Sequence, residues 1–361
     1  MSTKKTVVVA MSGGVDSSVC AGLLAREGYN VIGATLLFRP CDDEGPVSWC
    51  CGRGAEESAR SVAQTLGFPH YVVDCAGEFE QEVLRPAWQE YDRGRTPSPC
   101  ILCNEQIKFR LLLDLGKKLG ATKVATGHYA MIGKNGSRKL LRGKDPNKDQ
   151  SYFLFSLSRE HLDAALFPLG GYQKTEIRAL AKEMELSCAE RPESQDACFQ
   201  YEKGGFSEAL RIRFGGQIRE GEVVDPDGEI LGRHRGIHNY TVGQRRGLGI
   251  ALGRRAYVAK IEPKQNRIVL TPNIDDIKSR QLFASSFVWT GGNEPSLPIV
   301  CEAQIRYRHK PARARVDLTR DGALRVVFDA PQKAITPGQA VVLYRENEVL
   351  GGGWIDGTRL Y

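Results

Sequence analysis

The sequence lacks a segment of the kind that secretion or membrane insertion requires. Met1 to Lys5 are polar and basic, and the apolar run from Thr6 to Met11 is far shorter than a signal peptide's apolar region or a membrane span. A cytoplasmic protein with no membrane partner is therefore expected. Internal repeats and low-complexity stretches are also missing, which sets aside a repeat array or a compositionally biased tail. Without a secretory segment, the ten cysteines do not read as a disulfide scaffold. Metal binding, redox or nucleophilic use of a subset is expected instead. Cys20, Cys75, Cys188 and Cys301 stand in apolar or mixed surroundings and read as small buried hydrophobes.

What is present is the composition of a globular protein, 41% apolar and 26% charged over 361 residues, long enough for two or three domains with real cores. The net charge of +7 is uneven: residues 1–200 hold 25 basic and 25 acidic side chains, and residues 201–361 hold 25 and 18. The whole surplus is C-terminal, which points to a polyanion held there, most simply a nucleic acid.

Thr6 to Met11, Val31 to Phe38, Tyr71 to Asp74 and Lys123 to Thr126 are strand-like runs separated by stretches of helical period. That alternation predicts a doubly wound parallel sheet, with ligands beyond the carboxyl ends of its strands, in the loops after Met11, Phe38 and Gly127. After about Gly204 short alternating strands take over, with turns such as Asp225-Pro226-Asp227-Gly228 and Thr319-Arg320-Asp321-Gly322. Two small β-rich modules fit, dividing near Pro272-Asn273.

Ser12-Gly13-Gly14-Val15-Asp16-Ser17-Ser18 follows the first apolar strand and opens a helix running toward Gly28. Glycines let the backbone turn sharply and approach an anion, while helix N-terminal amides and serine hydroxyls donate to it. This is not a Walker loop, which carries a lysine just before its terminal Ser or Thr.

Pro99-Cys100-Ile101-Leu102-Cys103-Asn104 leads into Glu105 to Leu119, a stretch with helical apolar spacing. Both thiols therefore fall at or near a helix N-terminus, where thiolate is favoured. The pair alone is compatible with a zinc half-site, a redox pair or no chemical role. A distant third cysteine, Cys198, lies in Ser194-Gln195-Asp196-Ala197-Cys198-Phe199, and spacing cannot put it beside Cys103. The adjacent Cys50 and Cys51, with Cys41 upstream, lack a matching partner pair and read as structural or incidental.

From Ile230 to Ile261 there is no acidic residue, and Arg233, Arg235, Arg245, Arg246, Arg254, Arg255 and Lys260 make a basic stripe. A second acid-free run, Ala303 to Val316, holds Arg306, Tyr307, Arg308, His309, Lys310, Arg313 and Arg315. Cations interleaved with tyrosine suit RNA backbone contacts and stacking on splayed bases. A solvated basic face is the plainer alternative.

The heptad from Ser12 resembles the loop of the PP-loop ATP pyrophosphatases. The blocks Gly127-His128-Tyr129, Asn147 to Phe153, Gly243-Gln244-Arg245-Arg246-Gly247-Leu248-Gly249 and Pro337-Gly338-Gln339 resemble those of the tRNA-specific 2-thiouridylases. Together they cover most of the chain. The resemblance implies an α/β protein with three parts. Residues 1–205 would form a doubly wound, Rossmann-like PP-loop domain that binds ATP and catalyses. Residues 206–275 would form a small central β-rich tRNA-binding domain, and 280–361 a C-terminal tRNA-binding β-barrel.

By the same resemblance, ATP would be held by Ala10, Met11, Ser12, Gly13, Gly14, Val15, Asp16, Ser17, Leu36 and Gly127, with Asp16 a candidate ligand of Mg2+. Cys103 would be the nucleophile, and Cys198 would carry a persulfide sulfur from a relay that starts at a cysteine desulfurase. The anticodon stem-loop of tRNA would meet Ser98, Pro99, His128, Lys148, Asp149, Gln150, Arg245, Arg246, Arg306, Tyr307 and Gln339, with the target uridine taken out of its stack.

The chain departs from the family's pattern at Cys100, where the well-known members have Asp. Cys100, Cys103 and Cys198 together are able to hold a 4Fe-4S cluster with one iron open to sulfide, so persulfide and cluster-bound sulfide both stand as sulfur sources. Another PP-loop adenylating ligase and a non-catalytic tRNA-binding protein are the competing readings. His128 is assigned no acid–base work.

Overall fold

The structure, a computed structural model, describes residues 5–38, 53–133, 139–191, 205–292 and 294–358. Strand β1 (Thr6–Ala10) carries three consecutive valines, Val7, Val8 and Val9, all fully buried. A strand buried on both faces belongs in the middle of a parallel sheet. Around it lie helix α1 (Val15–Arg26), β2 (Asn30–Leu37), α2 (Arg53–Leu66), β3 (His70–Asp74), β4 (Lys123–Ala125), the hairpin β5 (Ala130–Ile132) and β6 (Leu140–Arg142), and β7 (Ala165–Leu166). The order β3-β2-β1-β4-β7 is parallel throughout. Val7 and Val9 pack under α1, α2 and the helix Lys174–Glu183, and Val8 packs on the opposite face against Val83, Ile107 and Leu112. The expected doubly wound sheet is thus present, and its strand order reverses between β1 and β4.

The second half is β-rich, as expected. Strands β8 (Gly221–Val224), β9 (Ile230–His234), β10 (Tyr257–Glu262) and β11 (Arg267–Thr271) form a four-stranded sheet in the order β10-β11-β8-β9. The last module comprises β12 (Lys278–Trp289), β13 (Ile299–Gln304), β14 (Ala312–Leu318), β15 (Leu324–Lys333), β16 (Ala340–Arg345) and β17 (Glu348–Gly357). All pairings there are antiparallel, and β12 bonds both β15 and β17. The sheet therefore closes into a six-stranded barrel, which removes its free edges.

The barrel and the parallel-sheet region are packed together. Glu348 of β17 pairs with Leu141 of β6, which joins the β5–β6 hairpin to the barrel sheet. Tyr152 is buried against the barrel, and its hydroxyl donates to the Ala340 carbonyl at 2.9 Å. Gly352 makes the approach possible: a Cβ there would stand 2.6 Å from the Phe155 ring. Among the described residues, no helix is long and apolar enough to cross a membrane.

Candidate active site

The Gly-rich loop joins β1 to α1 at the strand-order reversal, where open α/β sheets bind ligands. Its own serines hold it folded. Ser17 Oγ accepts the Ser12 amide at 3.1 Å and donates to the Gly14 carbonyl at 3.1 Å, and Ser18 Oγ donates to that same carbonyl at 2.9 Å. Gly13 has φ of +70°, and a Cβ there would meet the Ala55 carbonyl oxygen at 2.2 Å. Ser58 Oγ donates to the Gly13 carbonyl at 3.0 Å, tying the loop to α2. Gly14 is the N-cap residue of α1 and has no side chain to cap the helix's first amides, which suits an anion there.

The loop after β4 forms the other wall. A Cβ on Gly127 would stand 3.0 Å from the Ser17 nitrogen and 3.1 Å from the Asp16 carbonyl carbon, so a side chain here would have to press the loop and the start of α1 slightly apart. Met11 and Leu36 are buried at the neighbouring strand ends, and Thr35 Oγ1 donates to the Met11 carbonyl at 2.8 Å. These residues lie together at the carboxyl ends of β1, β2 and β4, beside the Gly-rich loop. Asp16 Oδ1 accepts the Tyr129 hydroxyl at 2.8 Å and the Lys174 ammonium at 2.5 Å. Lys174 and Tyr129 were not among the expected site residues, because only the folded chain brings them to Asp16.

His128 Nδ1 lies 2.7 Å from Thr126 Oγ1, and its ring stacks near Phe109. Burial, with Lys108 nearby, pushes its pKa down to about 3. Burial therefore favours the neutral ring.

The cysteine pair sits on a helix that starts at Pro99, earlier than the helical spacing from Glu105 suggested, and runs to Lys118 with a π-helical stretch at Cys103–Phe109. Such insertions are frequent at functional sites. Cys100 is half-buried and Cys103 buried, both in the apolar cluster that contains Leu36 and Phe38 at the end of β2. Cys198 lies outside the described residues, as do Cys41, Cys50 and Cys51. The four cysteines read as inert, Cys20, Cys75, Cys188 and Cys301, are buried. Burial pushes the Cys75 and Cys301 thiols up to about 12 and that of Cys20 further up.

Residues 94–98, leading into the cysteine helix, form a strap gripped by both β modules. Arg95 donates to the Ile355 carbonyl at 3.2 Å, and the Thr96 amide donates to the Pro337 carbonyl at 2.8 Å. Thr96 Oγ1 lies 3.0 Å from Thr241 Oγ1 of the central module. Gln339 Nε2 donates to the carbonyls of Thr96 and Pro97. Ser98 is buried at the strap's end, and Pro99 and Cys100 are half-buried.

Two of the expected RNA-facing groups converge on a groove of about 850 Å³ between the loop 142–149 and the basic loop 306–311. Lys144, Asn147, Tyr307, Arg308 and Lys310 are among its lining. Asp149 spends its carboxylate on the loop itself: Oδ1 accepts the amides of Gly143 and Ser151, and Oδ2 accepts Arg142. It therefore shapes the segment that carries Lys148. Gln150 Oε1 accepts the Tyr129 amide at 3.0 Å, and Arg306 donates to the carbonyls of Lys333 and Ala334. Arg245 and Arg246 are exposed on a separate open loop of the central module, away from these contacts in sequence, and Arg245 lines a second groove with Arg254 and Arg255.

Residues 5–202 match the family model of the tRNA methyl transferase HUP domain, 213–272 the tRNA methyl transferase PRC-barrel domain, and 279–355 the aminomethyltransferase beta-barrel domain. Curated relatives match along nearly the whole length. The tRNA-specific 2-thiouridylase MnmA of Heliobacterium modesticaldum is 48% identical over 358 residues, 98% of this chain and 92% of that protein. Those of Halothermothrix orenii and Koribacter versatilis are 42% and 43% identical, covering 97% and 98% of this chain and 98% and 100% of theirs.

Proposed function

The chain belongs to the tRNA-specific 2-thiouridylase family, and from that premise we propose that it thiolates the wobble uridine of cytoplasmic tRNA, using ATP. The domain models carry a methyl-transfer wording, but the relatives that match end to end carry the thiolation name, and the reading follows them. Residues 1–205 bind ATP and hold the thiols, while 206–275 and 280–361 hold the anticodon stem-loop.

The uridine O2 attacks the α phosphorus, the bond to the bridging oxygen breaks, and pyrophosphate leaves with the electron pair while the N3 proton is released. The terminal persulfide sulfur on Cys198 then attacks C2, and AMP departs. The Cys103 thiolate attacks the Cys198 sulfur, cleaving the S–S bond onto the base. Two thiols are oxidised to a disulfide as the transferred sulfur is reduced, N3 regains its proton, and a thiol reductant reopens the disulfide. The persulfide arrives from a sulfur-relay protein fed by a cysteine desulfurase. Bound Mg2+ would neutralise phosphate charge, with Asp16 to hold it.

The observation that carries this reading is that Cys103 is buried in the same apolar cluster as Leu36 and Phe38 at the end of β2, the strand that pairs with the one bearing the nucleotide loop. A second reading rests on Cys100 standing where the family has Asp: Cys100, Cys103 and Cys198 would hold a 4Fe-4S cluster. Anaerobically purified protein distinguishes them. Iron at about four per chain, lost with activity in Cys100→Ala, supports the cluster. Iron-free protein that thiolates tRNA from a persulfide donor supports the persulfide route. Undiminished thiolation by Cys103→Ser would overturn both, and a lack of tRNA-stimulated ATP-to-AMP turnover would leave a tRNA-binding protein.

A further inference from the structure

We propose that Asn104 is a positioning residue for Cys103, through which RNA seated beside Tyr307 sets the nucleophile's helix, a role that rests on the thiolation reading above. Asn104 directly follows Cys103 and is only 1% exposed. Its Nδ2 donates to the Phe153 carbonyl at 3.0 Å, across 49 residues of chain. Its Oδ1 is buried and has no hydrogen-bond partner among the described residues. Leaving a buried acceptor unpaired costs about 1–3 kcal/mol, more than one neutral hydrogen bond ordinarily returns. Stability alone therefore does not account for the amide, and a buried polar group held on those terms calls for a functional explanation.

Both ends of its hydrogen bond lead to the reaction. On one side, Asn104 stands in the helix of the thiols, where Cys103 and Asn104 open the π-helical stretch. Cys100 lies four residues earlier, hence on the same helix face as Asn104. On the other side, Phe153 belongs to the 3-10 turn Ser151–Leu154, directly after Lys148, Asp149 and Gln150. The Phe153 ring meets that of Tyr307 at 4.4 Å between centroids, and Tyr307 lines the groove between the loop 142–149 and the basic loop 306–311.

A path of direct contacts thus runs from the groove through Tyr307, the Phe153 ring, the Phe153 carbonyl and Asn104 to the residue beside Cys103. With Oδ1 unpaired, the amide is held through Phe153, so a shift of that turn is passed to the cysteine helix. Asn104 makes and breaks no covalent bond in this scheme. It fixes where the Cys103 sulfur stands once RNA occupies the groove, and small displacements of a reacting group change rates strongly.

The test is single-turnover thiolation with a persulfide donor and saturating ATP across a range of tRNA concentrations, on the full chain as wild type, Asn104→Ala, Phe153→Leu and the double variant. Asn104→Ala should lower the limiting rate about tenfold or more, while half-saturation by tRNA moves less than about twofold. Iodoacetamide alkylation of Cys103 in RNA-free protein, followed by peptide mapping, should keep its wild-type rate. Phe153→Leu keeps the carbonyl but removes the ring that meets Tyr307. It should also lower the limiting rate, and it keeps the test open if Asn104→Ala does not fold. The double variant should be no slower than the slower single variant, because both cut the same path. An unchanged limiting rate, additive losses in the double variant or a matching loss of tRNA affinity would overturn the proposal. A changed alkylation rate without RNA would overturn it too, by reducing Asn104 to a structural support of the thiol. Wild-type protein that fails to thiolate tRNA would instead refute the thiolation reading.

Discussion

Gln339, on the turn that enters β16 of the barrel, donates its side-chain amide to the Pro97 carbonyl at 3.1 Å, just ahead of the cysteine helix. It donates to Thr96 as well, at 3.0 Å. A residue expected to touch tRNA thus also clamps the strap that ends at Ser98-Pro99-Cys100, so the surface that would receive the RNA is mechanically tied to the segment that would receive its base.

Gln339→Ala should therefore impair chemistry more than nucleotide binding. Two carbonyls lose their donor, at about 0.5–1.5 kcal/mol of stability each, and the strap loosens. The single-turnover thiolation rate should fall about tenfold or more, with ATP affinity unchanged. Rapid-quench assays with nucleoside analysis, beside a denaturant titration, check both parts.

Gly127→Ala should separate nucleotide binding from folding. The new methyl would press on Ser17 N and the Asp16 backbone at 3.0–3.1 Å, where the cradle is narrowest. ATP affinity should drop about tenfold while the urea midpoint moves little. Gly13→Ala is the harsher change, because it adds a left-handed φ and a 2.2 Å clash with Ala55, and it should cost more than about 2 kcal/mol.

Cys198→Ala should abolish thiolation and leave tRNA affinity at the wild-type level, measured by filter binding beside the nucleoside assay. The role assigned to Cys198 comes from the family resemblance, so equal thiolation by the variant would sink the two-cysteine scheme while leaving the ATP site intact.

Stability should fall on mild acidification. Burial lowers His128 to about 3 and His309 to about 4, so from the ordinary histidine value of 6.5 downward the unfolded chain binds protons that the folded chain does not. With more protons on the unfolded state, stability rises with pH across that window and is fully present above it, with a slope of up to about 1.4 kcal/mol per pH unit per histidine. His128→Gln should reduce the dependence of the urea midpoint on pH below 6.5.

Much of this was legible in the sequence for identifiable physical reasons. Three adjacent valines announce a doubly buried strand, and glycines followed by serines announce a loop that cradles an anion. The β-rich character of the second half was announced by alternation and by turn residues, while the barrel was expected from the family resemblance. What stayed hidden depends on contacts across long sequence separations. The hairpin β5–β6 is short and acquires its partner only at Glu348 of β17. Lys174 looks like an ordinary surface lysine until its helix delivers it to Asp16. Asp149 and Gln339 are expected at the RNA by family resemblance, and the sequence does not show the backbone groups that they also engage.

Salt dependence tests the basic loop of the central module. Gly243 has φ of +85°, and its position is pinned by Ala334 of the barrel end, which a Cβ would meet at 2.4 Å. The Gly243 amide donates to the Val258 carbonyl at 2.8 Å, so the loop's base is anchored while Arg245 and Arg246 beyond it are exposed. Exposed arginines on an anchored loop suit phosphates, whose neutralisation releases counterions. Each alanine substitution should weaken tRNA binding whatever the anticodon sequence, and should reduce the slope of log affinity against log salt by about 0.7–0.9. The thiolation rate at saturating tRNA should hold, because the loop's grip on the strap runs through Thr241, which these substitutions leave in place. An unchanged slope would move the RNA off this loop and leave the groove beside Tyr307 and Lys310 to carry the contact.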